Sequence, residues 1–106
     1  MDANTYQEKA LRTQNPELSP GDKLINGVMG LCGEAGEVID LVKKHVAQGH
    51  ELNRAKLKDE LGDVAWYLAA TAAALDLSLN EVLEYNVEKL SARYPEGFSS
   101  ERSRNR

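Results

Sequence analysis

Hydrophobic residues recur every three or four positions along two long segments of the chain, residues 23–48 and residues 54–75. This spacing places apolar side chains on one face of an α-helix. The first stripe comprises Leu24, Val28, Leu31, Ala35, Val38, Val42 and Val46, and the second comprises Leu57, Leu61, Val64, Leu68, Ala72 and Leu75. No alternating run of apolar and polar residues competes with this pattern. The sequence therefore predicts an all-α protein.

Helix-capping and helix-breaking residues divide the chain into four predicted helices, over residues 4–14, 23–48, 54–75 and 78–94. Pro16 ends the first helix, because the residue before a proline is disfavoured in the α conformation. Gly49 suits the position that follows the second helix. Asn53 is a candidate N-cap of the third helix, and Ser78 with Glu81 forms a capping box for the fourth. We therefore expect a four-helix bundle.

The length of the chain, 106 residues, suits one small domain with a thin core. Support from a second subunit is expected for a core of this size. Pro95 and Gly97 end the fourth helix, and the residues after them are polar and basic without periodicity. We predict one domain over residues 1–97 and a basic C-terminal tail over residues 98–106.

An acidic pattern occurs twice, once on each long helix. Glu34 and Glu37 are three residues apart, and Glu60 and Asp63 repeat this spacing. Side chains at i and i+3 lie on the same side of a helix. Each pair also flanks its apolar stripe, so antiparallel packing of the stripes would direct all four carboxylates to one pocket. Carboxylates are ligands of hard divalent cations, and the pattern predicts metal-assisted phosphate chemistry.

The alternative interpretation is that these acids are ordinary solvent-exposed helix residues. Like charges at this spacing repel each other by a few tenths of a kcal/mol. Each motif also contains a glycine, Gly36 or Gly62, which costs about 1 kcal/mol relative to alanine inside a helix. An unfavourable local choice that is made in two helices is typical of a functional site.

The identity of the metal is limited by the residue types. His45 and His50 are the two histidines, and neither has the Glu-x-x-His spacing of di-iron carboxylate bundles. Ligation by oxygen alone favours Mg²⁺ or Mn²⁺ over Zn²⁺ or iron.

Basic residues are candidates for binding phosphate. Asn86, Lys89 and Arg93 share one face of the fourth helix, and Lys44 lies two turns after the first acidic pair. The alternative is a solvated basic face. Arg102, Arg104 and Arg106 in the tail are a separate hypothesis: they would reach the triphosphate on a neighbouring subunit, or they would only solubilise the chain.

Two aromatic residues, Trp66 and Tyr67, directly follow the second acidic pair. One of them is a candidate for stacking on a base, and the alternative is packing in a core or a dimer interface. Cys32 lies in an apolar helical stretch, which favours a small buried hydrophobic residue over a reactive thiol.

Composition excludes several classes of function. The formal net charge of −4 argues against a nucleic-acid binder. The N-terminus has no basic and apolar signal-peptide pattern. The longest uncharged apolar run, residues 64–75, is too short to span a bilayer. We expect a cytoplasmic protein that binds neither nucleic acid nor a membrane.

The acidic motifs resemble a known family signature. The runs Gly33-Glu34-Ala-Gly-Glu37-Val and Asp59-Glu60-Leu-Gly-Asp63-Val are similar to the E-x-x-E and E-x-x-D motifs of MazG-like, all-α nucleoside triphosphate pyrophosphohydrolases. The run over residues 86–95 also resembles the fourth-helix segment of that superfamily. The chain is similar to the short, single-domain branch of the family.

This resemblance implies a four-helix fold that forms a homodimer or homotetramer, with the pocket completed at the subunit interface. The implied reaction is hydrolysis of a nucleoside triphosphate to the monophosphate and pyrophosphate, for example to remove non-standard or excess deoxynucleotides. The implied site residues are Glu34, Glu37, Glu60 and Asp63 as ligands of Mg²⁺, Lys44, Asn86, Lys89 and Arg93 for phosphate or sugar, and Tyr67 for the base. Glu34 or Glu37 would accept the proton of the attacking water.

Two rival hypotheses stay open at the level of sequence. The first is a non-catalytic module that binds a nucleotide or a metal on the same fold. The second is a helical dimerisation protein whose acidic residues have no chemical role. The sequence also leaves open the preferred base and sugar and the number of metal ions.

Overall fold

Five helices and no strand make up the computed structural model, which describes residues 1–106. In chain order they are α1 (Ala3–Leu11), α2 (Pro20–Gln48), α3 (Arg54–Ala74), α4 (Leu79–Arg93) and α5 (Ser100–Arg104). The all-α prediction is confirmed. The first four helices match the predicted ones, although α1 ends three residues earlier than expected and α2 begins three residues earlier.

Capping residues explain these boundaries. Ser19 accepts a hydrogen bond from the Asp22 backbone N–H at 3.2 Å, and Pro20 occupies the first turn of α2, where its missing N–H costs nothing. The predicted N-cap Asn53 and the predicted capping box at the start of α4 are both present. Gly49 ends α2 in the left-handed conformation, with φ of 74°.

The antiparallel pairing of α2 with α3 is the most extensive contact in the molecule. Two glycines of α2 allow the close approach of the helices. A Cβ atom on Gly27 would lie 2.6 Å from the Thr71 hydroxyl oxygen, and one on Gly30 would overlap the Tyr67 ring. Small side chains at such positions let two helix backbones approach closely. This close approach brings the middle of α2 beside the middle of α3.

A buried glutamine attaches α1 to the rest of the fold. The Gln7 amide nitrogen donates to the carbonyl oxygens of Ala69 (3.1 Å) and Leu77 (3.2 Å). Its amide oxygen accepts from the Leu79 backbone N–H at 3.0 Å. A buried amide with its groups satisfied in this way avoids the desolvation penalty and fixes orientation. Gln7 thereby holds α1 at the corner between α3 and α4.

The core of the single chain is small. Seven of the 106 residues are buried, and they come mainly from α1, α3 and the first turn of α4. The radius of gyration is 16.8 Å, compared with about 13 Å for a compact domain of this length. The predicted apolar stripes are only partly covered, since Val46 is 76% exposed and Leu61 is 56% exposed.

A second apolar face of α2 is not covered by any other helix of the chain. It comprises Ile25, Met29, Cys32, Gly36, Ile39 and Val46, which recur with heptad spacing apart from the charged residue at position 43. The prediction that Cys32 is buried is wrong for this chain: its thiol is exposed because it lies on this uncovered face.

The last residues of the chain are partly helical, which corrects the prediction of a tail without periodic structure. Ser99 caps the short helix α5 by accepting from the Arg102 backbone N–H at 3.3 Å. A single turn of this kind needs only one cap and therefore leaves no periodic pattern in the sequence.

None of the five helices combines the length and apolar character that a membrane-spanning segment requires.

Candidate metal centre

Three carboxylates meet between the middle of α2 and the first half of α3. One carboxylate oxygen from each of Glu34, Glu60 and Asp63 lies within 4.8 Å of the other two. Glu34 and Glu60 are half-buried, and Asp63 is exposed. The close packing at Gly27 and Gly30 sets this geometry, because it fixes the register between α2 and α3. We refer to these residues as the carboxylate triad.

The pKa of Glu60 lies above the ordinary value for a glutamate. The first cause is a hydrogen bond with Glu34, followed by burial and by the charges of Glu34 and Asp59, while Lys56 acts in the opposite direction. Without a cation, these surroundings disfavour the charged form of Glu60. A divalent cation would balance the negative charge of the three acids, and an all-oxygen donor set suits Mg²⁺ or Mn²⁺.

Glu37 does not join the triad, in contrast to the prediction of four converging carboxylates. It lies almost one turn further along α2 and is exposed. Its charge instead acts on Lys44, whose pKa it helps to raise. The difference arises because the axial rise between Glu34 and Glu37 moves the second carboxylate toward the α2–α3 turn. Its assignment as a metal ligand therefore stays a prediction.

An aromatic cavity of about 400 Å³ opens on one side of the triad. Its lining is Thr13, Glu34, Asp63, Trp66 and Tyr67. The predicted base-binding residue Tyr67 therefore shares a cavity with two of the acids. The Trp66 and Tyr67 rings pack edge to face, with centroids 5.0 Å apart.

The indole of Trp66 is held in place by the carboxyl end of α1. Its Nε1–H donates to the Ala10 carbonyl oxygen and to the Thr13 hydroxyl oxygen, both at 2.9 Å. The Thr13 hydroxyl donates in turn to the Ala10 carbonyl at 2.7 Å. Tyr6, also on α1, has a pKa above its ordinary value because of burial and, secondly, because of the negative charge of Asp63. Its phenol stays neutral and close to the triad.

A lysine cavity of about 330 Å³ lies toward the α2–α3 turn. Its lining is Leu41, Lys44, His50, Glu51, Asn53 and Lys56. Lys44 pairs with Asp40 at 2.8 Å, and this hydrogen bond is the main reason why its pKa is raised. Both lysines act on acids of the site, Lys44 on Glu37 and Lys56 on Glu60. The lining of the cavity thus carries two lysines against one glutamate, and the cavity is adjacent to the triad.

The candidate phosphate ligands on α4 lie elsewhere in the chain. Asn86 and Lys89 are exposed and line neither the aromatic cavity nor the lysine cavity. Arg93 lines a different cavity together with Arg102 and Arg106. The fold of one chain does not bring these residues to the triad, because α4 packs on α1 and α3 without extensive contact with α2. Their role in binding substrate stays a prediction.

Three residues near the triad were missed by the sequence analysis: Tyr6, Thr13 and Lys56. Tyr6 lies on α1 and Thr13 lies in the turn after it, and their proximity to the triad depends on a tertiary contact that helix periodicity does not contain. The proximity of Lys56 could have been predicted from the sequence, because Lys56 precedes Glu60 by one helical turn and lies on the same side of α3.

The glycines within the acidic motifs have no packing role in this chain. A Cβ atom on Gly36 or Gly62 would meet nothing within 4 Å. The close helix contact depends instead on Gly27 and Gly30. Contacts within the chain therefore do not explain why glycine occupies these two helix positions at a cost in stability.

Fold and site together define an all-α protein with a carboxylate cluster suited to a divalent cation, placed between an aromatic cavity and a cationic one. Residues 26–98 match the family model of the MazG nucleotide pyrophosphohydrolase domain. The match covers more than half of the chain, and the chain belongs to this family. The resemblance inferred from the acidic motifs is confirmed.

A relative supports the same relationship. The chain is 44% identical over 73 residues to the Gene 37 protein of Mycobacterium phage L5. The aligned part is 65% of this chain and 64% of the relative, so the chain spans less than two thirds of the length of that protein. No solved structure matches the chain significantly.

Proposed function

We propose that the protein hydrolyses nucleoside triphosphates to monophosphates and pyrophosphate with the help of a divalent cation, Mg²⁺ or Mn²⁺. The observation that carries this proposal is the order of the three parts of the site: aromatic cavity, carboxylate triad, lysine cavity. A nucleoside triphosphate has the same order of parts, with an aromatic base at one end and a polyphosphate at the other. Membership in a nucleotide pyrophosphohydrolase family supports the same reaction.

This order gives the substrate a direction in the site. The base and sugar lie against Trp66 and Tyr67, and the phosphates extend past the triad toward Lys44 and Lys56. Ammonium groups bind phosphate oxygens as point charges without bidentate geometry. The two lysines therefore hold the part of the substrate that leaves as pyrophosphate.

Three side chains of the triad, Glu34, Glu60 and Asp63, fit a divalent cation by donor type and by the spacing of their oxygens. When bound, the cation supplies positive charge to the triphosphate and lowers the pKa of a coordinated water. The three carboxylates position the cation, and its binding is favourable because it relieves the repulsion among them.

Hydrolysis breaks the anhydride bond between the α- and β-phosphates. The oxygen of the attacking water bonds to the α-phosphorus, pyrophosphate departs with the electron pair of the broken bond, and a carboxylate accepts the water proton. Glu37 is the acid best suited to this role, because it is exposed and does not share the charge of the triad. Most of the catalysis in such reactions is positioning and electrostatic stabilisation.

The catalytic domain in this proposal comprises residues 1–97, since α1 and the turn after it contribute Tyr6 and Thr13 to the surroundings of the triad. A second copy of the chain completes the assembly as a homodimer or homotetramer. The uncovered apolar face of α2 supports this, because heptad spacing is the pattern by which two helices pack against each other. Asn86 and Lys89 would then reach a triad from a neighbouring subunit.

A substrate panel tests the proposed reaction. The purified protein is incubated with the standard ribo- and deoxyribonucleoside triphosphates and Mg²⁺, and products are separated by anion-exchange chromatography. Monophosphate and pyrophosphate in equal amounts are expected. Nucleotide binding without products would contradict catalysis and favour a non-catalytic binding module.

Variants of two acids separate the proposed roles. Glu37→Gln should lower turnover by about a hundredfold or more by removal of the proton acceptor, and a parallel loss of cation affinity would instead identify Glu37 as a metal ligand. Glu60→Gln should lower both turnover and cation binding. Glu84→Gln, an exposed glutamate on α4, is the matched control. Wild-type turnover in Glu37→Gln would contradict its role as the base.

A further inference from the structure

An arginine cavity of about 430 Å³ lies at the carboxyl end of α4, separate from the triad. Its lining includes Arg93 from the last turn of α4, Arg102 from α5 and Arg106 from the residues after α5. Glu101 is the one acidic residue among its lining residues. The excess of positive charge is opposite in sign to the net charge of the chain, which is −4.

A tight turn brings these arginines together. Gly97 adopts a φ of 91°, a left-handed value that suits glycine, and its N–H donates to the Tyr94 carbonyl oxygen at 3.1 Å. The Tyr94 and Phe98 rings pack with centroids 5.6 Å apart across the same turn. The chain thereby folds back, so that α5 lies beside the last turn of α4. The grouping of the arginines is a product of this turn.

The guanidinium groups of this cavity have no carboxylate partner. The ion pairs within the chain join Asp40 to Lys43 and Lys44, and none involves an arginine. Three guanidinium groups against the single carboxylate of Glu101 leave an excess of positive charge around the cavity, and an anion with several oxygens would balance that excess. Guanidinium groups bind phosphate oxygens with two parallel hydrogen bonds, which gives geometric selectivity.

We propose that the arginine cavity binds a polyphosphate anion, either free pyrophosphate or the triphosphate group of a nucleotide. Three cationic side chains match linked phosphates, which carry several negative charges, better than they match the single phosphate group of a monophosphate. The choice of polyphosphate among anions rests on the proposed function, whose substrate and product both contain it. The site is distinct from the lysine cavity, which shares none of its residues.

Metal-free protein provides the test. After chelation and exchange into metal-depleted buffer, the protein is titrated calorimetrically with sodium pyrophosphate. Without a cation, the triad repels this anion and does not contribute to binding. Arg102→Gln and Arg106→Gln should each weaken binding by about tenfold or more, as expected for loss of hydrogen bonds between charged groups.

Arg104→Gln is the matched control, because Arg104 belongs to the same helix and carries the same charge but does not line the cavity. The affinity of this variant for pyrophosphate should stay within about twofold of wild type, since an exposed charge that does not line the cavity acts through screening solvent. Circular dichroism of each variant checks that the helices are retained.

Several outcomes would overturn the proposal. The first is that wild type does not bind pyrophosphate, and the second is that Arg104→Gln and Arg102→Gln lose the same pyrophosphate affinity. The third is that only Lys56→Gln loses pyrophosphate affinity. The fourth is that wild type binds a monophosphate as tightly as pyrophosphate. Weaker binding of a non-hydrolysable nucleoside triphosphate than of pyrophosphate identifies the released product as the ligand, and equal or tighter binding identifies the triphosphate group. A failure of Mg²⁺-dependent hydrolysis leaves this metal-free result unaffected, so the two proposals fail separately.

Discussion

Two regions of this molecule each gather three side chains of like charge, but they do so on different supports. The carboxylate triad lies between α2 and α3, where Gly27 and Gly30 allow the closest helix contact in the fold. The arginine cavity lies between the end of α4 and the five-residue helix α5, joined by a turn at Gly97. One group is fixed by a long helix pair and the other by a turn.

The difference indicates how far each region is organised before a ligand binds. In the triad, the pKa of Glu60 is raised by a hydrogen bond with Glu34, by burial and by the charge of Glu34, which shows that these two carboxylates are held close together. Such fixed geometry suits a cation and a reaction that depends on positioning. The arginines have long side chains and come from the end of α4, from the short helix α5 and from the residues after it, which suits an anion of variable shape. Substitutions that affect one region should therefore leave the other largely unchanged.

The largest effect on stability is expected from Gly30→Ala. The new methyl group overlaps the Tyr67 ring, and overpacking of this kind costs about 1–3 kcal/mol. Gly33→Ala is the control, because its Cβ atom meets nothing within 4 Å and alanine favours the helix by up to about 1 kcal/mol. Urea unfolding compares the free energies of unfolding. Equal stabilisation by both substitutions would contradict the close α2–α3 contact.

A smaller effect, on substrate binding, is expected from Lys56→Gln. Removal of one ammonium group from the lysine cavity should lower kcat/KM by about tenfold, or about 1.4 kcal/mol. Lys58→Gln removes the same charge from an exposed position that does not line the cavity, and it should stay close to wild type. Similar losses in both variants would indicate a general effect of charge. Pyrophosphate binding by the arginine cavity should be unaffected by either change.

The smallest effect is expected from Thr13→Val, which removes the hydroxyl that accepts from Trp66 and donates to Ala10. Trp66 keeps its bond to the Ala10 carbonyl, so the loss of stability should be about 1 kcal/mol. Tryptophan fluorescence and the unfolding free energy report the change. An unchanged emission spectrum together with unchanged stability would contradict the docking of Trp66 on α1.

Sequence reasoning predicted the helices well because their signals are local. Asn53, Ser78 and Gly49 act on neighbouring backbone groups, and the structure places them at helix ends as expected. The short helix α5 was missed because one capped turn has no periodicity. The burial of the apolar stripes was overestimated, because periodicity identifies the apolar face of a helix but not the residues that cover it.

The site was predictable only in part for a related reason. Spacing alone brought Glu34, Glu60 and Asp63 together once antiparallel packing was assumed. The same reasoning also placed Glu37 in the site, because it assigns both acids of a pair to one position and neglects the axial rise of the helix between them. Thr13 and Tyr6 join the site through the attachment of α1 by Gln7, a contact between residues far apart in sequence.

The central claim is that the triad binds a divalent cation, and calorimetric titration with Mg²⁺ tests it most directly. Wild type and Glu84→Gln should bind Mg²⁺ with the same affinity, and Glu60→Gln should bind at least about tenfold more weakly, because the number of charged ligands sets the affinity of such sites. Apo Glu60→Gln should also be at least as stable as wild type, since a repulsion is removed. Equal Mg²⁺ affinity in Glu60→Gln and wild type, or no binding to wild type, would contradict the account.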